Sequence, residues 1–242
     1  MRLFCGLAAA CMLVTLSATS IAAPITTLKN TGIGAGGLVL ANGGAEINYT
    51  LVSQPAGSTS SLIAVTSAGG FPVPPWLGDS PDSAWIRPDN PYPFQGDKDN
   101  DPAGMYVYET KFDMTGFIRS TASITGRWST DNPGLYITLN GNLIDPTTST
   151  GAGSFDTWTN FSFAASGINI FVDGLNTLRF YVNNIVQSSG NPTGLRVEMA
   201  GNAVLVPEQG PESVPLPASL VLLATGIPGL GLVLRRLRKT AK

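Results

Sequence analysis

The chain has 242 residues, with 14 Lys and Arg, 16 Asp and Glu, two Cys and no His. The missing imidazole excludes His-based acid–base catalysis, Ser-His-Asp triads and His-ligated zinc, and charged residues make up only 12% of the chain against ~25% in typical soluble domains. Gly and Pro, 28 and 18 in number, supply the turn-formers of a chain built from short strands.

The first residues read MRLFCGLAAACMLVTLSATSIAAP: one cation at Arg2, an apolar run from Leu3 to Leu16, then small residues. These are the three parts of a secretory signal peptide, predicted over 1–22, and Ser20 and Ala22 place small side chains where a signal peptidase reads them. Cleavage one residue later would leave Pro24 beside the scissile bond. Lipid attachment at Cys11 is the weaker alternative, because Ala8 stands where a bulky aliphatic residue belongs. Cys5 and Cys11 both lie in this segment, so the remaining chain is expected to have no thiol chemistry.

Beyond the leader, apolar and polar residues alternate with period two and no helical period intervenes, which predicts strands. "AEINYTLV" (45–52) and "SLIAVTSA" (61–68) are the first two. A Pro-rich stretch over 69–101 reads as a long loop. In "GMYVYETKFDM" Tyr106, Tyr108, Thr110 and Phe112 share one face; in "STASITGRWS" Ala122, Ile124 and Trp128 do. "GLYITLNG" aligns Leu135, Ile137 and Leu139, "TWTNFSFA" Phe161 and Phe163, "NTLRFYVN" Leu178, Phe180 and Val182, and "GLRVEMAGNAVLV" Leu195, Val197 and Met199. Asp131-Asn132-Pro133-Gly134, Asn140-Gly141, Asp173-Gly174 and Asn191-Pro192 supply turns between them. Strands with one apolar face each predict an all-β chain, a jelly-roll β-sandwich over 23–205.

Residues 206–213 read as a spacer. From Leu216 to Leu234 there is no charge, and Arg235, Arg236, Arg238 and Lys239 follow closely. That length fits a transmembrane helix (217–234), and the cations predict a cytoplasmic end; a buried core helix is the alternative. Of the 14 cations, Arg2 and the five beyond Leu234 fall outside 23–213, leaving 8 against all 16 acids and a net charge near −8. Such a surface repels phosphate backbones and argues against nucleic acid as a partner.

Two resemblances follow from these residues. Val214, Pro215, Leu216 and Pro217, then Gly226, Gly229 and Gly231, then the basic cluster, resemble over 214–242 the PEP-CTERM sorting signal of Gram-negative bacteria, with Pro215-Leu216-Pro217 in place of Pro-Glu-Pro. The resemblance implies an exosortase-type enzyme as partner, transient or lasting anchoring in the inner membrane, and delivery to the cell surface, extracellular matrix or biofilm exopolysaccharide. The run from "GMYVYETKFDM" to "TGLRVEMAGNA" is similar to a galactose-binding-domain-like sandwich, a shape shared by carbohydrate-binding modules and silent spacers.

Three groups of residues are candidate sites. Tyr136, Trp158 and Tyr181 point away from the aliphatic faces of their strands and would form a sugar-stacking groove if they share a sheet face, or would merely cover strand edges. Trp76, Trp85, Tyr92 and Phe94 are the other aromatic option. Asp97, Asp99 and Asp101 alternate as carboxylates in "GDKDNDPAG" and read either as a structural Ca²⁺ loop helped by Glu109 or Asp89, or as a solvated acidic turn. No cofactor beyond that Ca²⁺ is expected. Asp131 and Asn132 read as turn residues. The functional expectation is a non-catalytic, exported surface or matrix protein that binds carbohydrate; the alternative is a carbohydrate-active hydrolase or lyase with two carboxylates.

Overall fold

A computed structural model describes residues 21–59, 61–66, 72, 74–89, 101–145, 154–165, 170–187 and 190–207. The signal peptide up to residue 20, the spacer beyond Pro207 and the sorting tail, with Val214 to Pro217 and the four cations, lie outside them. Among the described residues no helix is long and apolar enough to cross a membrane.

Eleven strands build the described chain: β1 (Ala22–Pro24), β2 (Tyr49–Ser53), β3 (Leu62–Val65), β4 (Trp85–Pro88), β5 (Gly104–Asp113), β6 (Phe117–Asp131), β7 (Gly134–Leu139), β8 (Asn142–Asp145), β9 (Thr159–Ala164), β10 (Leu175–Asn184) and β11 (Gly194–Leu205). They form two antiparallel sheets, one ordered β3-β4-β11-β6-β9 with β1 also on β11, the other β2-β5-β10-β7-β8. The first is called sheet I here and the second sheet II.

The alternation predicted from the sequence decides which residues meet between the sheets. Ile124, Trp128, Leu195 and Val197 of sheet I and Tyr108, Ile137, Leu178 and Phe180 of sheet II are each at most 1% exposed. Rings cross the interface: Phe180 lies 5.9 Å from Trp128 and 6.2 Å from Phe161, centroid to centroid. This apolar contact, worth roughly 2 kcal/mol or more per large side chain removed from water, joins the sheets into a β-sandwich.

Asn140-Gly141 is the predicted turn, and both residues have positive φ, 50° and 82°, the geometry of a two-residue hairpin. It leads into β8, which carries too little alternation to be read from the sequence.

The Pro-rich stretch is more than the loop predicted for it. It contains β4, which bridges β3 and β11. Trp85 of β4 is fully buried, its indole N–H donates to the Leu77 carbonyl at 3.0 Å, and its ring packs 4.4 Å from that of Trp76. The two make a satellite core with Val65, Leu77 and Phe155. Trp85 is therefore structural rather than a sugar platform, and Tyr92 and Phe94 lie outside the described residues.

Candidate functional site

The outer face of sheet I is set by the pairing of β6 with β9 on one side and β11 on the other. Arg127 lies opposite Asn160 and Glu198, and Thr125 opposite Ser162 and Ala200. Because alternate residues share a face, Asn160-Arg127-Glu198 and Ser162-Thr125-Ala200 make two polar or small rows across three strands. Beyond β11, the segment after β1 seals the sheet: Thr31 exchanges bonds with Val197 at 3.1 and 3.0 Å, and Asn30 accepts the Met199 N–H at 2.8 Å. The Asn30 amide also donates to the Asp82 carbonyl at 2.9 Å, raising a wall there. Between this wall and Asn160 runs a shallow groove of about 510 Å³, lined also by Thr125, Arg127, Glu198 and Ala200. It shares Asn30, Asp82 and Met199 with a second depression of about 240 Å³, so the two adjoin at that wall.

Trp158, half-buried just before β9, stands beside this groove. The guanidinium carbons of Arg127 and Arg196 lie 4.5 and 5.0 Å from its ring centroid, within the range of cation–π attraction. Both cations are fixed. Arg127 donates twice to one Glu198 oxygen, at 2.8 and 2.5 Å, while Arg196, 2% exposed, donates to Ser83 at 2.8 Å and to the Gly78 carbonyl. Ser83 and Ser80 donate to the other Glu198 oxygen at 2.8 and 3.2 Å. Burial pushes the Glu198 carboxyl up, but the bonds from Ser83 and Arg127 outweigh it and hold it below the ordinary carboxylate range. Two cations, one anion and two hydroxyls thus pre-set the indole beside the groove.

The expected groove of three aromatics does not form, because Trp158 and the tyrosines belong to different sheets. Tyr136 and Tyr181 are directly opposed on β7 and β10, with rings stacked at 4.2 Å and 27° on the outer face of sheet II. The next row places Arg179 between Glu109 and Thr138, with its Nε 2.8 Å from Glu109, which Lys111 also approaches at 3.2 Å. Glu109 is thus committed to sheet II rather than to any Ca²⁺ loop.

Asp97 and Asp99 lie outside the described residues, and Asp101 departs from the solvated acidic turn. It is 4% exposed; its carboxylate accepts from Arg87 at 3.0 Å and the Thr193 N–H at 3.1 Å. The Asn184 and Asn191 amides donate to its carbonyl at 3.0 and 3.1 Å, so Asp101 ties β4, β5, β10 and β11 together. Among the described residues no three His, Cys, Asp or Glu side chains converge.

Acid catalysis needs a carboxyl that keeps its proton near neutrality. The described acids with raised proton affinity stand apart from the groove lining. Asp131, at the end of β6, is raised to about 7 by burial and then by the charge of Asp101, and Glu46 is raised by burial although the Asn48 and Gly32 N–H groups bond it at 2.6 Å each. The groove acid Glu198 is shifted the other way.

The groove residues Arg127, Thr125, Asn160 and Glu198 were not singled out from the sequence. Their outward direction was legible, since each alternates with a core residue, but the pairing of β6 with β11 across some seventy residues was not.

No family model matches the chain, and no curated protein does. Solved structures similar to it include CBM35 from Paenibacillus barcinonensis (16% identity, 62% of this chain and 92% of that one, TM-score 0.29), a native family 35 carbohydrate binding module from Clostridium thermocellum (19%, 62% and 88%, 0.26), and a CBM4 structure (11%, 63% and 94%, 0.25).

Proposed function

We propose that this chain is an exported, non-catalytic glycan-binding protein of the cell surface or extracellular matrix, with a galactose-binding-type jelly roll as its body and the outer groove of sheet I as its sugar site. The observation that carries the proposal is Trp158, an indole clamped by Arg127 and Arg196 at the side of a polar groove. Sugar rings present apolar C–H faces to such a ring and hydroxyls to amides, hydroxyls and carboxylates. Thr125, Asn160 and Asp82 supply one of each. The ring is held before any ligand arrives, which lowers the entropy of ordering on binding.

The test is affinity electrophoresis of the purified chain through gels containing soluble polysaccharides, with Trp158→Ala alongside. Retardation by at least one polymer, weakened about tenfold or more in the variant, is expected; retardation that Trp158→Ala leaves untouched sinks the groove as the site. Export and sorting have their own test. Intact mass of protein recovered from native cells and medium should match removal of 1–22 and of a tail cut near Pro217. A retained tail would make it a membrane-anchored ectodomain and end the exosortase proposal.

A further inference from the structure

A third depression, of about 390 Å³, lies at the edge of sheet II, where the segment after β1 is bonded to β2 and β5. Lys29, Ile47, Asn48, Thr50, Glu109 and Lys111 are among its lining residues. Its walls are set by hydrogen bonds. Thr27 accepts the Asp113 N–H at 2.9 Å, and the buried Tyr49 hydroxyl donates to the Lys29 carbonyl at 2.9 Å. On the β2 side the Asn48 amide donates to the Ile33 carbonyl and the Asn48 N–H to Glu46, each at 2.6 Å.

The charge here runs against that of the chain. The described cations Arg87, Lys111, Arg119, Arg127, Arg179 and Arg196 all pair with carboxylates, whereas the exposed Lys29 has no such partner among the described residues. Lys111, its side chain 51% exposed, approaches one Glu109 oxygen at 3.2 Å while Arg179 holds the other at 2.8 Å. Lys29, Lys111 and Arg179 thus stand against the single carboxylate of Glu109, although residues 23–213 carry 8 cations against 16 acids. The nearby Asp113 turns its carboxylate to the Thr115 N–H and hydroxyl, at 2.8 and 2.7 Å, and Asp82 lines the neighbouring 240 Å³ depression instead.

We propose that this depression is a second glycan site, specific for an acidic polysaccharide, whose carboxylate or sulfate is held between Lys29 and Lys111. The depression has the size of a small-molecule site, and it offers a sugar ring more than charge: Ile47, 58% exposed, presents apolar surface to C–H groups, and the exposed Thr50 offers a hydroxyl. The site stands on the opposite sheet from Trp158 and does not rest on the sheet I groove being a sugar site. Because both ammonium groups are exposed, the attraction is screened by salt.

The experiment is affinity electrophoresis of the full chain through gels containing alginate as the carboxylated probe, dextran sulfate as the sulfated one and dextran as the neutral control, at 20 and 500 mM NaCl. The expected result is retardation by alginate or dextran sulfate at 20 mM that fades at 500 mM, weakened about threefold in Lys29→Gln and in Lys111→Gln and about tenfold in the double variant. Which polymer is retained identifies the anion. The Lys29 side chain makes no bond that holds the fold, since it is the backbone carbonyl that Tyr49 grips, and Arg179 keeps Glu109 paired in Lys111→Gln, so both variants are expected to fold. Arg119→Gln, which removes an exposed cation outside the depression, should change nothing; a loss equal to that of Lys29→Gln would show diffuse attraction and overturn the site. Retardation by an acidic polymer that survives both lysine variants but disappears in Trp158→Ala would place that polymer in the sheet I groove and overturn the second site alone. No retardation by either acidic polymer would overturn it as well, whatever a neutral glycan does at Trp158.

Discussion

Both outer faces of the sandwich carry half-buried aromatics next to an Arg–Glu pair, yet they are built for different ends. On sheet II, Tyr136 and Tyr181 are opposed across two strands and stack on one another at 4.2 Å. Each turns one ring face to the other, and the Arg179–Glu109 pair beside them is a cross-strand tie. On sheet I, Trp158 has no stacked aromatic among the described residues and is held by cations that are themselves anchored to Glu198. An aromatic on a sheet surface reinforces the sheet when its neighbour is another ring. It offers surface to a ligand when fixed charges hold it next to an open groove.

The contrast is broken most forcefully at Arg196. Replacing it with Met leaves Ser83, the Gly78 carbonyl and part of Glu198 without their buried cation. Unfolding free energy in urea should fall by about 3–5 kcal/mol, and retardation by polysaccharide should weaken although Arg196 does not line the groove. Full stability in that variant would show that the network is ornamental.

A second buried charge, distant from both faces in role, tests the same electrostatics. Asp131 is 2% exposed and raised to about 7 by burial and by Asp101. The folded state therefore keeps a proton that the unfolded chain releases near pH 4, so stability falls between about pH 4 and pH 7 and stays lower above that window. Asp131→Asn should raise unfolding free energy by roughly 2–4 kcal/mol at pH 8 and leave it unchanged at pH 3.5. A variant as pH-dependent as the parent would assign the slope to other groups.

Trp158→Ala separates ligand contact from support. Because the ring is only half-buried, stability should drop by about 1 kcal/mol, while polysaccharide retardation falls tenfold or more. The smallest effect belongs to sheet II. A double-mutant cycle of Tyr136→Ala and Tyr181→Ala should give a coupling of about 0.5–1 kcal/mol in thermal or urea unfolding, with retardation unaltered. Loss of binding in either tyrosine variant would move the sugar site to the other face.

Much of the fold was legible because period-two alternation is a local property. The faces read for "STASITGRWS" and "NTLRFYVN" are the faces that meet as Trp128 and Phe180, and Asn140-Gly141 announced its turn through the residues that tolerate positive φ. β4 was missed because Trp85–Pro88 is buried on both sides and so has no alternation to read; its proline and short length hid it further. The direction of Trp158 was readable too, but its separation from Tyr136 and Tyr181 was not, since all three alternate alike within strands assigned to different sheets.

The sequence by itself determined the all-β class, the inward residues, several of the turns, the acidic balance of residues 23–213 and the expectation of a leader and a sorting tail, because each depends on residues near one another in the chain. Only the tertiary structure decided that Asp101 pairs with Arg87, that Glu198 neutralises Arg127, and that Trp158 stands beside a groove while the tyrosines stack. Those outcomes depend on strand order and register, which bring together residues 14, 71 and 45 positions apart, and no local pattern encodes such pairings.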